Sequence, residues 1–228
     1  MKAILLLMLI PISYWISIGF KPKTYPTLTN MGYPTTYPTP LDDDVYAGRT
    51  EEKKGKGWFT RSEWRALDRD VKEAYISSFI KFFSQAAKEE SKRSGIPWQI
   101  YVSQAILESN YAKSRLAVEG QNLFGVKYWG NDKNKYIVVA DDNPNDRFRK
   151  FDNQHQSLLY QSKLLNGKYR ARIKGKPTLD KWVDCLCGGR TIEESKKFVE
   201  SGGYVYATSC YKGDVSYAQK LLNIINRL

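Results

Sequence analysis

The sequence predicts a mainly helical α+β domain, and three observations carry that reading. Apolar residues recur at helical spacing over residues 61–93 and again through most of residues 97–227. One β-prone run, Tyr136-Ile137-Val138-Val139-Ala140, interrupts them and leads into a turn-rich stretch around Pro144. With 42% hydrophobic and 14% aromatic residues among 228, the chain has enough apolar surface to bury a real core.

The elements follow in chain order. Residues 3–20 carry no charge and follow Lys2, a length of 18 residues against the ~20 that span a hydrocarbon core as a helix. The run ends Ile16-Ser17-Ile18-Gly19-Phe20, a poor match to the small residues of a cleavage site, so residues 1–20 read as a signal peptide or an uncleaved membrane anchor. An exported protein of the cell envelope is expected, whether membrane-anchored, periplasmic or secreted. Residues 21–57 read as a linker, with Tyr-Pro-Thr at 25–27, 33–35 and 37–39 and then a charged stretch. Repeated proline favours extended chain over packing. The folded domain is expected at 58–228.

Within it, Trp64, Leu67, Val71, Tyr75, Phe79, Phe82, Phe83 and Ala86 fit one or two amphipathic helices. Ser94-Gly95 stops them, and Pro97 suits the first turn of a helix running to about Asn110. A β-hairpin is predicted between Asn122 and Phe151, with strands at 136–140 and 147–151. Helices are then predicted at 153–165, 178–187, 191–201 and 214–227.

The formal charge of +12 lies mostly on the domain. The first 60 residues hold seven basic and five acidic side chains, which leaves about +10 on residues 61–228. Such a domain attracts polyanions, though charge alone does not choose among nucleic acid, anionic lipid and cell-wall polymer. No HExxH, CxxC or Cys/His cluster occurs, and His155 is the single histidine, so neither a metal nor another cofactor is expected. Cys185 and Cys187 are too close for an easy mutual bridge, so any disulfide would join Cys210 to one of them.

In the helix 97–110, Tyr101, Gln104, Ala105 and Glu108 share a face, with Trp98, Val102 and Ile106 on the apolar side expected to meet the core. Partial burial, aromatic neighbours and the negative helix end would each raise the Glu108 pKa, as a glycosidase acid requires. On pattern alone, a surface glutamate is the simpler reading.

A resemblance reverses that preference. The stretch Ile106-Leu107-Glu108-Ser109-Asn110-Tyr111-Ala112-Lys113-Ser114, followed by Asn122-Leu123-Phe124-Gly125-Val126-Lys127, resembles the signature of glycoside hydrolase family 73. These are flagellar and autolysin-type endo-β-N-acetylglucosaminidases. The likeness takes in Phe79, Gln104-Ala105, Phe148-Arg149-Lys150-Phe151, Tyr206-Ala207-Thr208 and Tyr217-Ala218, and so covers nearly all of residues 75–228. It implies a lysozyme-like fold, in which a helical lobe and a small β-lobe enclose a glycan cleft. It further implies Glu108 as the general acid, Tyr206 lining the site, and Asn122 and Phe124 shaping the cleft floor. Gln104, Tyr111 and Tyr128 are further candidates for substrate contact, and Trp129 has the same aromatic character.

One departure stands out. The family's second carboxylate is usually a Glu in the hairpin, yet residues 131–151 contain none. Asp132, Asp141, Asp142, Asp146 and Asp152 are the acids available, with Asp141 and Asp142 best placed at a strand end and Glu119 an outside candidate. Each reads equally as a turn former. Without a second carboxylate, the substrate's own acetamido group or an anhydro-forming route would serve. The expected partner is the glycan strand of peptidoglycan, cut by a monomer whose N-terminal segment meets the membrane. Nucleic acid is not expected, because no nucleic-acid motif accompanies the charge. A transglycosylase or muramidase action, or glycan binding without cleavage, are the alternatives.

Overall fold

The computed structural model describes residues 61–228 apart from Asp142. The proposed anchor and the linker at 21–57 lie outside the described residues. None of the described helices is long and apolar enough to cross a membrane.

Eight helices and one two-stranded sheet make up the described fold. After the short α1 (Arg61–Ala66), α2 (Arg69–Ser94) buries Tyr75, Phe79, Phe83 and Ala87, a row at i, i+4 spacing. Gly95 ends it in the left-handed conformation at φ 74°, its N–H bonded to the Ser91 carbonyl at 2.9 Å. Pro97 is the N-cap of α3 (Trp98–Ser109), one residue earlier than the first-turn position expected.

Helix α3 is the central element, packed against α2, α6 and α8. Here the expectation of one core-facing side fails. Tyr101, Val102, Ser103, Gln104 and Ala105 are all fully buried, so polar and apolar faces alike are covered. The covering layer comes from α5 (Gln154–Lys168) and α8 (Tyr217–Ile225), elements far away in sequence. A single cluster containing Phe79, Ile100, Tyr101, Leu123, Leu158, Trp182 and Leu221 joins these helices.

The short α4 (Arg115–Glu119), capped by Ser114, was not anticipated. The hairpin is present but shorter than expected: β1 (Tyr136–Val138) pairs antiparallel with β2 (Arg147–Arg149), Ile137 opposite Phe148. Phe148, Val139 and Ile137 pack with Leu116 of α4 as a small second core. The loop before the hairpin also joins β2. Tyr128 N–H bonds to the Arg147 carbonyl and Arg149 N–H to the Val126 carbonyl, both at 2.8 Å. That pairing ties the hairpin to the segment following α3.

Helices α6 (Leu179–Cys187) and α7 (Ile192–Glu200) complete the helical layer. Thr178 caps α6, and Thr191 with Glu194 forms a capping box on α7. Cys210 bridges to Cys187, while Cys185 stays reduced and buried. The bridge pins the segment between α7 and α8 to the end of α6. Replacing both bridged cysteines with serine is expected to lower unfolding free energy by about 3 kcal/mol through loop entropy, measurable in urea melts.

Candidate active site

Glu108 occupies the next-to-last position of α3 and is half-buried. The chain then turns abruptly. Asn110, Tyr111 and Ala112 stand in succession at φ 50°, 58° and 60°, a left-handed run without a glycine. Each such residue costs roughly 1–2 kcal/mol, so the surrounding contacts must hold the turn. Ser109 does so by accepting from Ala112 N–H at 2.8 Å, and Tyr75 donates its hydroxyl to the Tyr111 carbonyl at 3.0 Å.

The loop at 122–127 closes over the carboxylate from one side. Asn122 organises it: the side-chain oxygen accepts from Phe124 and Val126 N–H, and the amide donates to the Val126 and Arg149 carbonyls. Gly125 stands beside Glu108, at φ 64°, where a Cβ would lie 3.8 Å from Glu108 Oε2. Replacing Asn122 with Ala takes the side-chain partner from the Phe124 and Val126 N–H groups and the Arg149 carbonyl, while the Val126 carbonyl keeps Arg149 N–H. The expected loss is about 2–4 kcal/mol of stability, read by thermal melting, with activity lost alongside as the loop opens.

From the other side, Tyr217 donates its hydroxyl to Glu108 Oε1 at 2.7 Å. Ser216 caps α8 and makes Tyr217 its first residue, which fixes where that ring enters the core. Behind it runs a buried polar chain. Gln104 Nε2 donates to the Tyr217 oxygen at 3.4 Å, and Gln161 Nε2 donates to Gln104 Oε1 and to the Tyr206 oxygen, both at 2.9 Å. Tyr206 donates to the Phe124 carbonyl at 3.4 Å, returning the chain to the loop beside Glu108. The Tyr206 segment is itself held down by its N–H on the Leu186 carbonyl and by the nearby disulfide.

These surroundings push the Glu108 pKa up to about 7. Burial is the main cause and the negative charge of Asp141 adds to it, while the Tyr217 hydrogen bond opposes both. Both phenols are held well above their ordinary range, chiefly by burial and then by the Glu108 charge, so they remain donors. A carboxyl that is half-protonated at neutrality and held by a neutral donor is suited to handing a proton to a leaving oxygen.

The other sequence candidates divide sharply. Gln104, Asn122 and Phe124 are 0%, 1% and 3% exposed, so a bound glycan would meet the surfaces they hold rather than their side chains. Tyr111 packs edge-on against Phe79, and Tyr128 stacks on Tyr136. Asp141 is 53% exposed on the hairpin, 3.5 Å from the Lys127 ammonium, and its charge acts on Glu108. Asp142 lies outside the described residues.

The remaining acids are engaged elsewhere. Asp132 caps the turn at 133–135, Asp146 pairs with Lys127 at 3.1 Å, Asp152 accepts from Gln156, and Glu119 pairs with Arg115. Sequence reasoning missed Tyr217 as the direct partner of Glu108, although Tyr217-Ala218 belonged to the motif set. It had no signal at all for Gln161.

A helix-borne carboxylic acid poised near neutrality, flanked by a glycine turn, the buried Tyr217 and the half-buried Tyr206, is the arrangement that general-acid chemistry of the glycosidase class calls for. The family profile described as mannosyl-glycoprotein endo-beta-N-acetylglucosaminidase matches residues 84–228, and the chain belongs to this glucosaminidase family. The chain is similar to the exo-glucosaminidase LytG of Bacillus subtilis, 29% identical over 135 residues that cover 56% of this chain and 43% of that protein. It is also similar to an N-acetylmuramoyl-L-alanine amidase domain-containing protein of Staphylococcus aureus, 32% identical over 159 residues, 64% of this chain and 23% of that one. The chain thus spans less than half the length of these curated relatives. Among solved structures, the catalytic domain of the autolysin Auto from Listeria monocytogenes aligns with a TM-score of 0.49 and 24% identity, covering 75% of this chain and 96% of that one.

Proposed function

We propose that this protein cleaves the glycan backbone of peptidoglycan as an endo-β-N-acetylglucosaminidase, with Glu108 as the general acid. The observation that carries the reading is the half-buried Glu108 carboxyl, bonded to Tyr217 and poised near pH 7. In the proposed step, the protonated carboxyl gives its proton to the glycosidic oxygen as the C1–O bond breaks; the sugar leaves as an alcohol, and water then adds at C1 and returns a proton to the Glu108 carboxylate. The positive charge developing at C1 then needs a negative partner. Asp141 takes that role in this reading, being the hairpin carboxylate whose charge acts on Glu108.

The uncharged run at 3–20 and the proline-rich spacer support export, with the domain held at the membrane or released into the envelope.

The test is digestion of purified peptidoglycan by the full chain, with products identified by mass. Reducing N-acetylglucosamine ends support the proposal, while reducing or anhydro-muramic ends would reassign the bond. Asp141→Asn is expected to cut kcat by about 10²-fold or more. An unchanged kcat would instead pass the role to the substrate's acetamido group.

A further inference from the structure

The outer face of the hairpin carries a built arrangement that the catalytic reading does not use. By the strand register, Tyr136, Val138, Arg147 and Arg149 lie on the side opposite Ile137 and Phe148. Tyr128 stacks on Tyr136 with centroids 5.7 Å apart and 24° between the planes. The Arg149 guanidinium sits between rings, 5.2 Å from Tyr128 and 4.7 Å from Tyr160, and that of Arg147 lies 4.9 Å from Tyr136.

The loop at 128–131 is folded tightly onto this stack. A Cβ at Gly130 would collide with the Tyr128 ring, and Arg147 Nη1 donates to the Gly130 carbonyl at 3.2 Å. The fold-back leaves Trp129 89% exposed. An indole held outward on this folded-back turn is a poor core residue and a good flat surface.

Electrostatics say what the surface is missing. Arg147 and Arg149 stand two residues apart on one strand face, and neither has a carboxylate partner among the described residues. Lys133, Lys135 and Lys150 are exposed close by, and Asp132 is already paired with Lys135. The Arg149 Nε is buried without a hydrogen-bond partner. Like charges placed together with no counter-charge repel one another and draw an anion.

We propose that this face is an accessory docking surface for a glycan strand bearing carboxylates. A sugar ring lies on Trp129 while the guanidinium edges take the carboxylates. The chemistry is specific on both counts. An indole face accepts the C–H face of a pyranose, and guanidinium N–H edges match a carboxylate in a fork. An anionic membrane fits less well, because Trp129 is alone there: among the described residues the other exposed large hydrophobic side chains, Tyr204 and Val215, lie outside the hairpin. This inference rests on the glycan reading of the active site.

The test uses the full chain carrying Glu108→Gln, so that the strand survives the measurement. Probes are peptidoglycan strands, the same strands with their carboxylates amidated, duplex and single-stranded DNA, and phosphatidylglycerol vesicles. Native strands are expected to bind about tenfold more tightly than amidated ones. Arg147→Gln is expected to remove most of that preference, and Trp129→Ala to weaken both strand forms by about fivefold. Trp129→Ala leaves every contact of Arg147 in place, which separates a lost ring from a disturbed loop.

Equal affinity for native and amidated strands overturns the proposal, as does a preference that survives Arg147→Gln. It is also overturned if DNA or the vesicles bind more tightly than the strands and lose that binding in the same variants. The catalytic reading fails separately, when the wild-type chain releases no glycan fragments whatever these binding ratios are.

Discussion

Glu108→Gln is expected to lower kcat on peptidoglycan by about a thousandfold and, in the same molecule, to stabilise the fold above neutral pH. The stability effect follows from proton linkage. The native carboxyl titrates at about 7, against an ordinary value of 4.5. Between those two pH values the native state holds a proton that the unfolded chain has released. Stability therefore falls as pH rises through that window, and the whole penalty is present above about pH 7. A shift of this size corresponds to about 3 kcal/mol at most, since Glu108 keeps some contact with solvent.

Glutamine carries no such penalty and can still accept from Tyr217. Urea unfolding of both proteins at pH 4 and pH 8 would display it: near-equal stability at the lower pH, and a more stable variant at the higher. Parallel pH profiles would mean that the Glu108 carboxyl is not perturbed and that its environment has been misread.

Tyr217→Phe tests the other half of the site. The phenol stabilises the charged carboxylate, so its removal should raise the Glu108 pKa further and carry the basic limb of the kcat/KM profile upward by on the order of one pH unit. The same change strips Gln104 Nε2 of its acceptor in the core, at a cost of about 1–2 kcal/mol. Tyr206→Phe is the control, because Tyr206 bonds to Gln161 and the Phe124 carbonyl rather than to Glu108. It should unsettle the network yet shift the limb much less. If both variants shift it equally, the contact of Tyr217 with Glu108 is not what governs the proton.

Much of this was legible along the chain because the forces involved are local. Helical spacing of apolar residues, Gly95 as a stop, Thr178 and Thr191 ahead of helices, and the β-prone run at 136–140 act within one or two turns of themselves. The motif around Glu108 was likewise continuous in sequence, and its assignment to the glucosaminidase family stands. The surroundings of α3 were not legible. A helical wheel separates Gln104 from Val102, but it cannot say that α5 and α8 will cover the polar side. Tyr217 lies 109 residues from Glu108, and Gln161 57 residues from Gln104. The choice of Cys187 over Cys185 had the same character: two residues apart on one helix, they point in different directions, and packing decides which meets Cys210.

By itself, then, the sequence determined most of the helices, the hairpin and the family, and it singled out Glu108 as the candidate acid, because propensity, capping and contiguous motifs are encoded in near neighbours. Tertiary structure alone decided that Glu108 would be crowded, bonded to Tyr217 and poised near pH 7. It also decided that Asp141, among the described hairpin acids, would be the one whose charge acts on it. Those outcomes depend on desolvation and charge at a point in space, where segments separated by tens of residues converge, and no window along the chain contains them.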